Sequence, residues 1–199
     1  MKKLILSSVL VLVTIICNAQ SESTSFNQTA KGNIITGGDL LINFDNRSQK
    51  FDGNKQKISS GFSVTGRIKT GYFFMDNLAA GLLLNIKTNT TKIEVTDSKS
   101  NTNAFALGPF GRYYFNNGFF AEGAVAYGFG KIDDDFFGEQ NFSTFGFSIG
   151  AGYALFLGDH VAIEPSINYI RDYQKFKNSD TTDILSAIEL GVGFKVYLD

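Results

Sequence analysis

Residues 62–74, FSVTGRIKTGYFF, alternate strictly. Phe62, Val64, Gly66, Ile68, Thr70, Tyr72 and Phe74 form one set; Ser63, Thr65, Arg67, Lys69 and Gly71 form the other. Successive side chains of a strand point to opposite faces, so a period of two predicts a β-strand with one apolar and one charged face. Two environments accept such a strand. In a soluble sandwich the apolar face meets a second sheet and the polar face meets water. In a membrane barrel the apolar face meets lipid and the polar face meets the lumen.

The same alternation predicts eight strands, over about 33–44, 59–74, 78–94, 103–115, 119–131, 141–156, 161–173 and 184–198. Residues 141–156 are the clearest case. Phe145, Phe147, Ile149, Ala151, Tyr153 and Leu155 lie against Thr144, Gly146, Ser148, Gly150, Gly152 and Ala154. Pro109 interrupts the fourth strand, and Pro165 predicts a bulge or a local break in pairing in the seventh. After residue 19 no amphipathic helix of convincing length competes with the strands.

The connections alternate in length. Residues 75–77, 116–118 and 157–160 are tight turns, whereas 45–57, 92–102, 132–140 and 174–182 read as longer polar loops. Short and long connections in alternation predict an up-and-down antiparallel barrel with two unlike ends, the short turns periplasmic and the long loops outside. Aromatic residues gather at the short-turn level: Tyr72, Phe73, Phe74, Tyr113, Tyr114, Phe115, Phe119, Phe120, Tyr153, Phe156, Phe194 and Tyr197. Such a ring predicts an interfacial girdle. A lipid-facing wall also explains why nearly every strand carries a bulky apolar face without a helix or second sheet to cover it.

Composition agrees. The chain has 21 Gly, 20 Phe and only 2 Pro, and its mean hydropathy of −0.02 argues against a bundle of membrane helices while leaving a barrel open. The N-terminus reads as an export signal over 1–19. Lys2 and Lys3 precede an apolar run at 4–16, which is too short to span a membrane, and Cys17-Asn18-Ala19 resembles a cleavage site. A polar lead-in, 20–31, then precedes the barrel domain, 32–199. Cleavage removes the single Cys, so neither disulfides nor Cys-based metal sites are expected. It also removes two lysines and no acid, leaving no basic excess for nucleic acid.

The signal, the alternating strands, FALGPFGRYYF (residues 105–115) before an Asn-Asn-Gly turn, and the ending ELGVGFKVYL resemble the outer-membrane β-barrel domain family. These are relatives of the small outer-membrane-protein A and X barrels of Bacteroidetes-type bacteria. The resemblance implies an all-β, eight-stranded antiparallel up-and-down transmembrane β-barrel in the outer membrane. It further implies contact with the lipid bilayer and lipopolysaccharide, and handling by the barrel-assembly machinery. Glu189, Gly191, Phe194 and Val196 look like the C-terminal assembly signal, although the chain ends Tyr197-Leu198-Asp199 where the family often ends on an aromatic residue.

Candidate chemistry is sparse. His160, the only histidine, falls in a short turn, at the wrong end for a lipid-modifying His-Ser pair, and reads as a solvated residue. Asp133, Asp134 and Asp135 read as a solvated acidic loop, because three consecutive carboxylates do not easily converge on one calcium ion. Phosphate-loop, dinucleotide and zinc motifs are absent, and neither a cofactor nor an enzymatic activity is expected. The informative charges are those in mid-strand. Strand parity places Arg67, Lys69, Lys87, Arg112 and Lys195 inside together with Glu122, Glu164 and Glu189. Buried charge needs partners, so these residues predict an interior ion-pair network with the glutamates shared among the bases. The lumen of eight strands is just wide enough to be filled by side chains. The expected function is a non-enzymatic outer-membrane barrel with a plugged lumen and loops free for envelope or surface contacts. A narrow channel, a small-ligand-binding barrel and a lipid-modifying enzyme are the alternatives. The sequence names no surface partner.

Overall fold

The computed structural model describes residues 27–51, 54–94, 96, 98–136, 138–177 and 182–199, with the backbone alone over 42–51 and 54–58. The expected signal peptide and the first part of the lead-in lie outside the described residues. Nine segments make eight walls: β1 (Ile34–Phe51), β2 (Asn54–Met75), β3 (Leu78–Ile93), β4 (Ser98–Tyr114), β5 (Phe119–Asp134), β6 (Gly138–Tyr153), β7 (Leu155–Phe156), β8 (Val161–Phe176) and β9 (Thr182–Leu198). The two residues of β7 continue β6 in the same register against β8. Each wall pairs antiparallel with the next, and β1 closes on β9 through 34–39 against 193–198, so the sheet is a closed up-and-down barrel.

Alternation sets the two surfaces. Leu82, Ile149, Ile188 and Leu190 stand outside, with Ile149 60 % and Leu190 76 % exposed. Such a continuous apolar exterior belongs in lipid. The small-residue face of β6 points inward because the lumen is crowded there. A Cβ at Gly152 would collide with the Phe120 ring, and one at Gly146 with the Asp172 carboxylate.

Both prolines are absorbed without a register shift. The β3 ladder passes Pro109 unbroken, and the β5 ladder resumes at Phe110↔Ala124 in the register it held at Leu107↔Tyr127. Arg112 is thereby held on the inner face. Pro165 stays in register with β9 while the pairing from β6 lapses at Ala154, so it breaks pairing rather than making a bulge. The missing proline N–H accounts for the lapse.

One expectation is corrected. The long polar loops are mostly strand: β1 runs to Phe51 and β2 resumes at Asn54, and β3 to β4, β5 to β6 and β8 to β9 are joined by comparably short connections. Beyond the apolar band both faces of a hairpin are polar. The period of two disappears from the sequence there, while backbone pairing continues. Cross-strand side-chain bonds such as Thr88 to Asn103 at 3.1 Å and Thr90 to Asn101 at 2.9 Å line these extensions. Residues 27–33 are tied to the first short turn: the Asn77 N–H donates to the Thr29 carbonyl at 2.8 Å, and the Lys31 N–H to Asp76 Oδ1 at 2.8 Å. Asn77 itself sits at φ 65°, the left-handed conformation that Asn tolerates in a tight turn.

Candidate functional site

The interior is built where inward positions of six walls meet. Lys69 on β2 and Arg112 on β4 both reach Glu122 on β5; Arg112 Nε donates to Glu122 Oε2 at 2.8 Å. Arg112 Nη1 also lies 2.5 Å from Glu164 on β8. Lys195 on β9 donates to Asp39 Oδ1 on β1 at 2.7 Å, and Lys69 lies 3.6 Å from the other Asp39 oxygen. Glu164 is 2 % and Lys195 1 % exposed. Desolvation on that scale is costly for an unpaired ion, and here each of these carboxylates has a base beside it. Gly193 makes room for the arrangement, since a Cβ there would collide with the Asp39 carboxylate.

Tyrosines complete this layer. The Tyr114 and Tyr197 hydroxyls both donate to Glu164 Oε1, at 2.9 and 2.8 Å, and lie 2.8 Å from each other. Arg112 Nη1 donates to the Tyr114 hydroxyl at 2.8 Å, and the guanidinium sits 4.1 Å from the centre of the Phe120 ring. Below them Ile35, Phe73, Ala79, Phe120, Ala154 and Ala162 fill the short-turn end, with Phe156 packed against the cluster. The expected girdle is thus corrected. In the runs Tyr72-Phe73-Phe74 and Tyr113-Tyr114-Phe115 the outer residues face out, but Phe73 and Tyr114 face in and are buried. Adjacent strand residues cannot share a face. Phe120, Phe156 and Tyr197 belong with the inner set.

Above this layer the charges thin out. Arg67 on β2 reaches across β1 to Glu189 on β9. That contact bridges the closing seam just above its last paired residues, Asp39↔Gly193. Lys87 lines a cavity of about 130 Å³ together with Asn85, Asp172 and Gln174, and no direct ion pair of Lys87 is found among the described residues. Asn85 Oδ1 is buried without a hydrogen-bond partner. Of the assembly-signal residues, Glu189 and Gly191 face the lumen, while Phe194 and Val196 face outward.

Asp39, Asp172, Tyr114 and Tyr197 escaped the candidate set. Both aspartates have inward parity in the sequence, which was a usable signal. The tyrosines were hidden inside aromatic runs. His160 is exposed in its turn, with Nδ1 2.9 Å from the Tyr197 carbonyl oxygen. The acids at 133–135 cap a hairpin: Asp135 Oδ2 accepts from the Lys99 N–H at 2.7 Å and Asp134 Oδ1 from the Phe136 N–H at 2.9 Å.

A closed eight-walled barrel, apolar outside and charged within, defines a transmembrane β-barrel. The chain belongs to the outer membrane protein beta-barrel domain family, whose model matches residues 8–195, and its place is the bacterial outer membrane. The outer membrane protein OprG from Pseudomonas aeruginosa superposes with a TM-score of 0.50 at 15% identity, over 86% of this chain and 98% of that one. Neisserial surface protein A gives 0.49 at 16%, over 83% and 97%. Ail, the attachment invasion locus protein of Yersinia pestis, gives 0.42 at 16%, over 83% and 99%. At 15% identity the likeness to OprG is one of fold. No curated protein matches the chain.

Proposed function

We propose that this protein is a non-enzymatic, non-conducting outer-membrane barrel whose lumen is sealed at the short-turn, periplasmic end and whose hairpins present a polar surface outside. The observation that carries the reading is the Arg112–Glu122–Glu164 cluster with its two tyrosine hydroxyls. It spans the bore from β4 and β5 to β8 and β9, directly over a packed aromatic layer. Its carboxylates are each held by a base, an arrangement that supports a seal more than a catalytic cleft. The outward residues Phe194 and Val196 on β9 are offered to the barrel-assembly machinery. Planar-bilayer recording of the folded protein tests the reading: the wild type stays at baseline, and a steady unitary conductance would contradict it.

A second reading rests on the cavity beside Lys87 and Asp172. Its unsatisfied Asn85 carbonyl and facing charges suit a small polar ligand held above the seal. Asn85→Leu would remove such binding in a small-molecule screen while leaving the seal unchanged.

A further inference from the structure

The outward face of β8 differs from those of β4, β5 and β9 where the apolar band ends. Going up from the short turn it reads Ile163, Pro165, Ile167, Tyr169, Arg171, Tyr173 and Lys175. Ile170 and Asp172 line the interior cavity, so Arg171 between them points out. Arg171 stands ten residues above Val161. At about 3.3 Å per residue and a tilt of roughly 40°, that is about 25 Å, the height of the lipid-facing band. Counting ten residues from the same end, β5 and β9 place Phe129 and Ile188 there, and Phe105 of β4 is paired with Phe129; all three are exposed apolar residues. β8 alone among these puts a cation in that ring.

The side chain is arranged, not merely present. The guanidinium lies 5.5 Å from the centre of the Tyr173 ring, and Nε is shut off from solvent without a hydrogen-bond partner. Tyr169 packs on Phe147 of β6, directly opposite Arg171, with ring centres 6.4 Å apart. Lys175 and Lys177 follow on the same side above, both exposed. A ring-supported guanidinium presents a flat fork of donors matched to a phosphate, and lysines add point charge. Tyrosines at this level suit the boundary between acyl chains and headgroups.

We propose that Arg171, Lys175 and Lys177, framed by Tyr169 and Tyr173, form a binding site for the phosphorylated saccharide headgroup of an outer-leaflet glycolipid. The acyl chains would lie along the Ile167 and Phe147 surface, with the phosphate on the Arg171 fork. This proposal rests on the outer-membrane location and is independent of whether the lumen is sealed.

The test uses the full mature barrel folded in neutral detergent and titrated with diphosphoryl lipid A, with binding read by native mass spectrometry. Saturable binding is expected, and the Arg171→Gln/Lys175→Gln/Lys177→Gln variant should weaken it at least tenfold with unchanged heat-modifiability on gels. Lys99→Gln with Lys131→Gln, also on outward strand positions, should leave it unchanged. If the triple variant does not fold, the single Arg171→Gln exchange should still cost about threefold. Equal binding of a dephosphorylated lipid A, or of phosphatidylglycerol, would overturn the proposal. So would full displacement by inorganic phosphate, equal loss in the Lys99/Lys131 control, or wild-type affinity in the folded basic-site variants.

Discussion

The two ends of this barrel share one continuous backbone ladder and stabilise it differently. At the short-turn end, paired ions and tyrosine hydroxyls sit on an aromatic layer inside the bore, and consecutive aromatics divide between lumen and lipid. At the hairpin end, strands continue with polar side chains on both faces, held by exposed Thr–Asn bonds. Interior cohesion is thus concentrated in the lower half, where a side chain removed cannot be replaced by water at low cost. In the upper half water is an adequate substitute.

The largest contrast should come from Arg112→Ala. It takes the base from Glu164 and leaves Glu122 with Lys69 alone, in a region where breaking a buried pair costs about 3–5 kcal/mol. Denaturant unfolding from lipid vesicles should show that loss; a change below 1 kcal/mol (roughly the median of an exposed pair) would erase the distinction between the halves. Next comes the lipid face. Ile149→Arg should cost about 2–4 kcal/mol at mid-band, and the inward neighbour Ser148→Arg should cost less. The reverse order, measured in the same vesicles, would invert the facing of β6. The smallest effect belongs to the hairpins. Thr90→Ala, which removes the bond to Asn101, should stay within about 0.5 kcal/mol, as exposed substitutions usually do. A cost comparable to Arg112→Ala would show that the extensions are part of the cooperative core.

The same contrast explains what could be seen in advance. Within the band, lipid outside and charge inside impose opposite demands on neighbouring positions, and alternation records them at Arg67, Lys69 and Ile149. The hairpin extensions leave no such record, because water accepts either face, so 45–57 looked like a loop although its backbone is paired through most of its length. Parity also says which way a side chain points and not whom it meets. Lys195 reads as inward from its own strand, but its partner Asp39 lies 156 residues away and becomes its neighbour only when the barrel closes. The tyrosines were obscured for a related reason. Tyr114 and Tyr197 stand beside outward Tyr113 and Leu198, and composition alone merges an inner layer with an outer girdle. Pro109 interrupts the strand that carries Arg112, and the inward parity expected of Arg112 holds because the register is the same on both sides of the proline.

The central claim is that the Arg112–Glu122–Glu164 layer closes the bore. Single-channel recording of the wild type beside a Glu122→Gln/Glu164→Gln variant, both shown folded by heat-modifiability, tests it most directly. The wild type should be silent, and the variant, with the cluster's charge balance broken, should show small, discrete openings. A wild type that conducts steadily, with the variant indistinguishable from it, would contradict the claim and make the lumen an open channel.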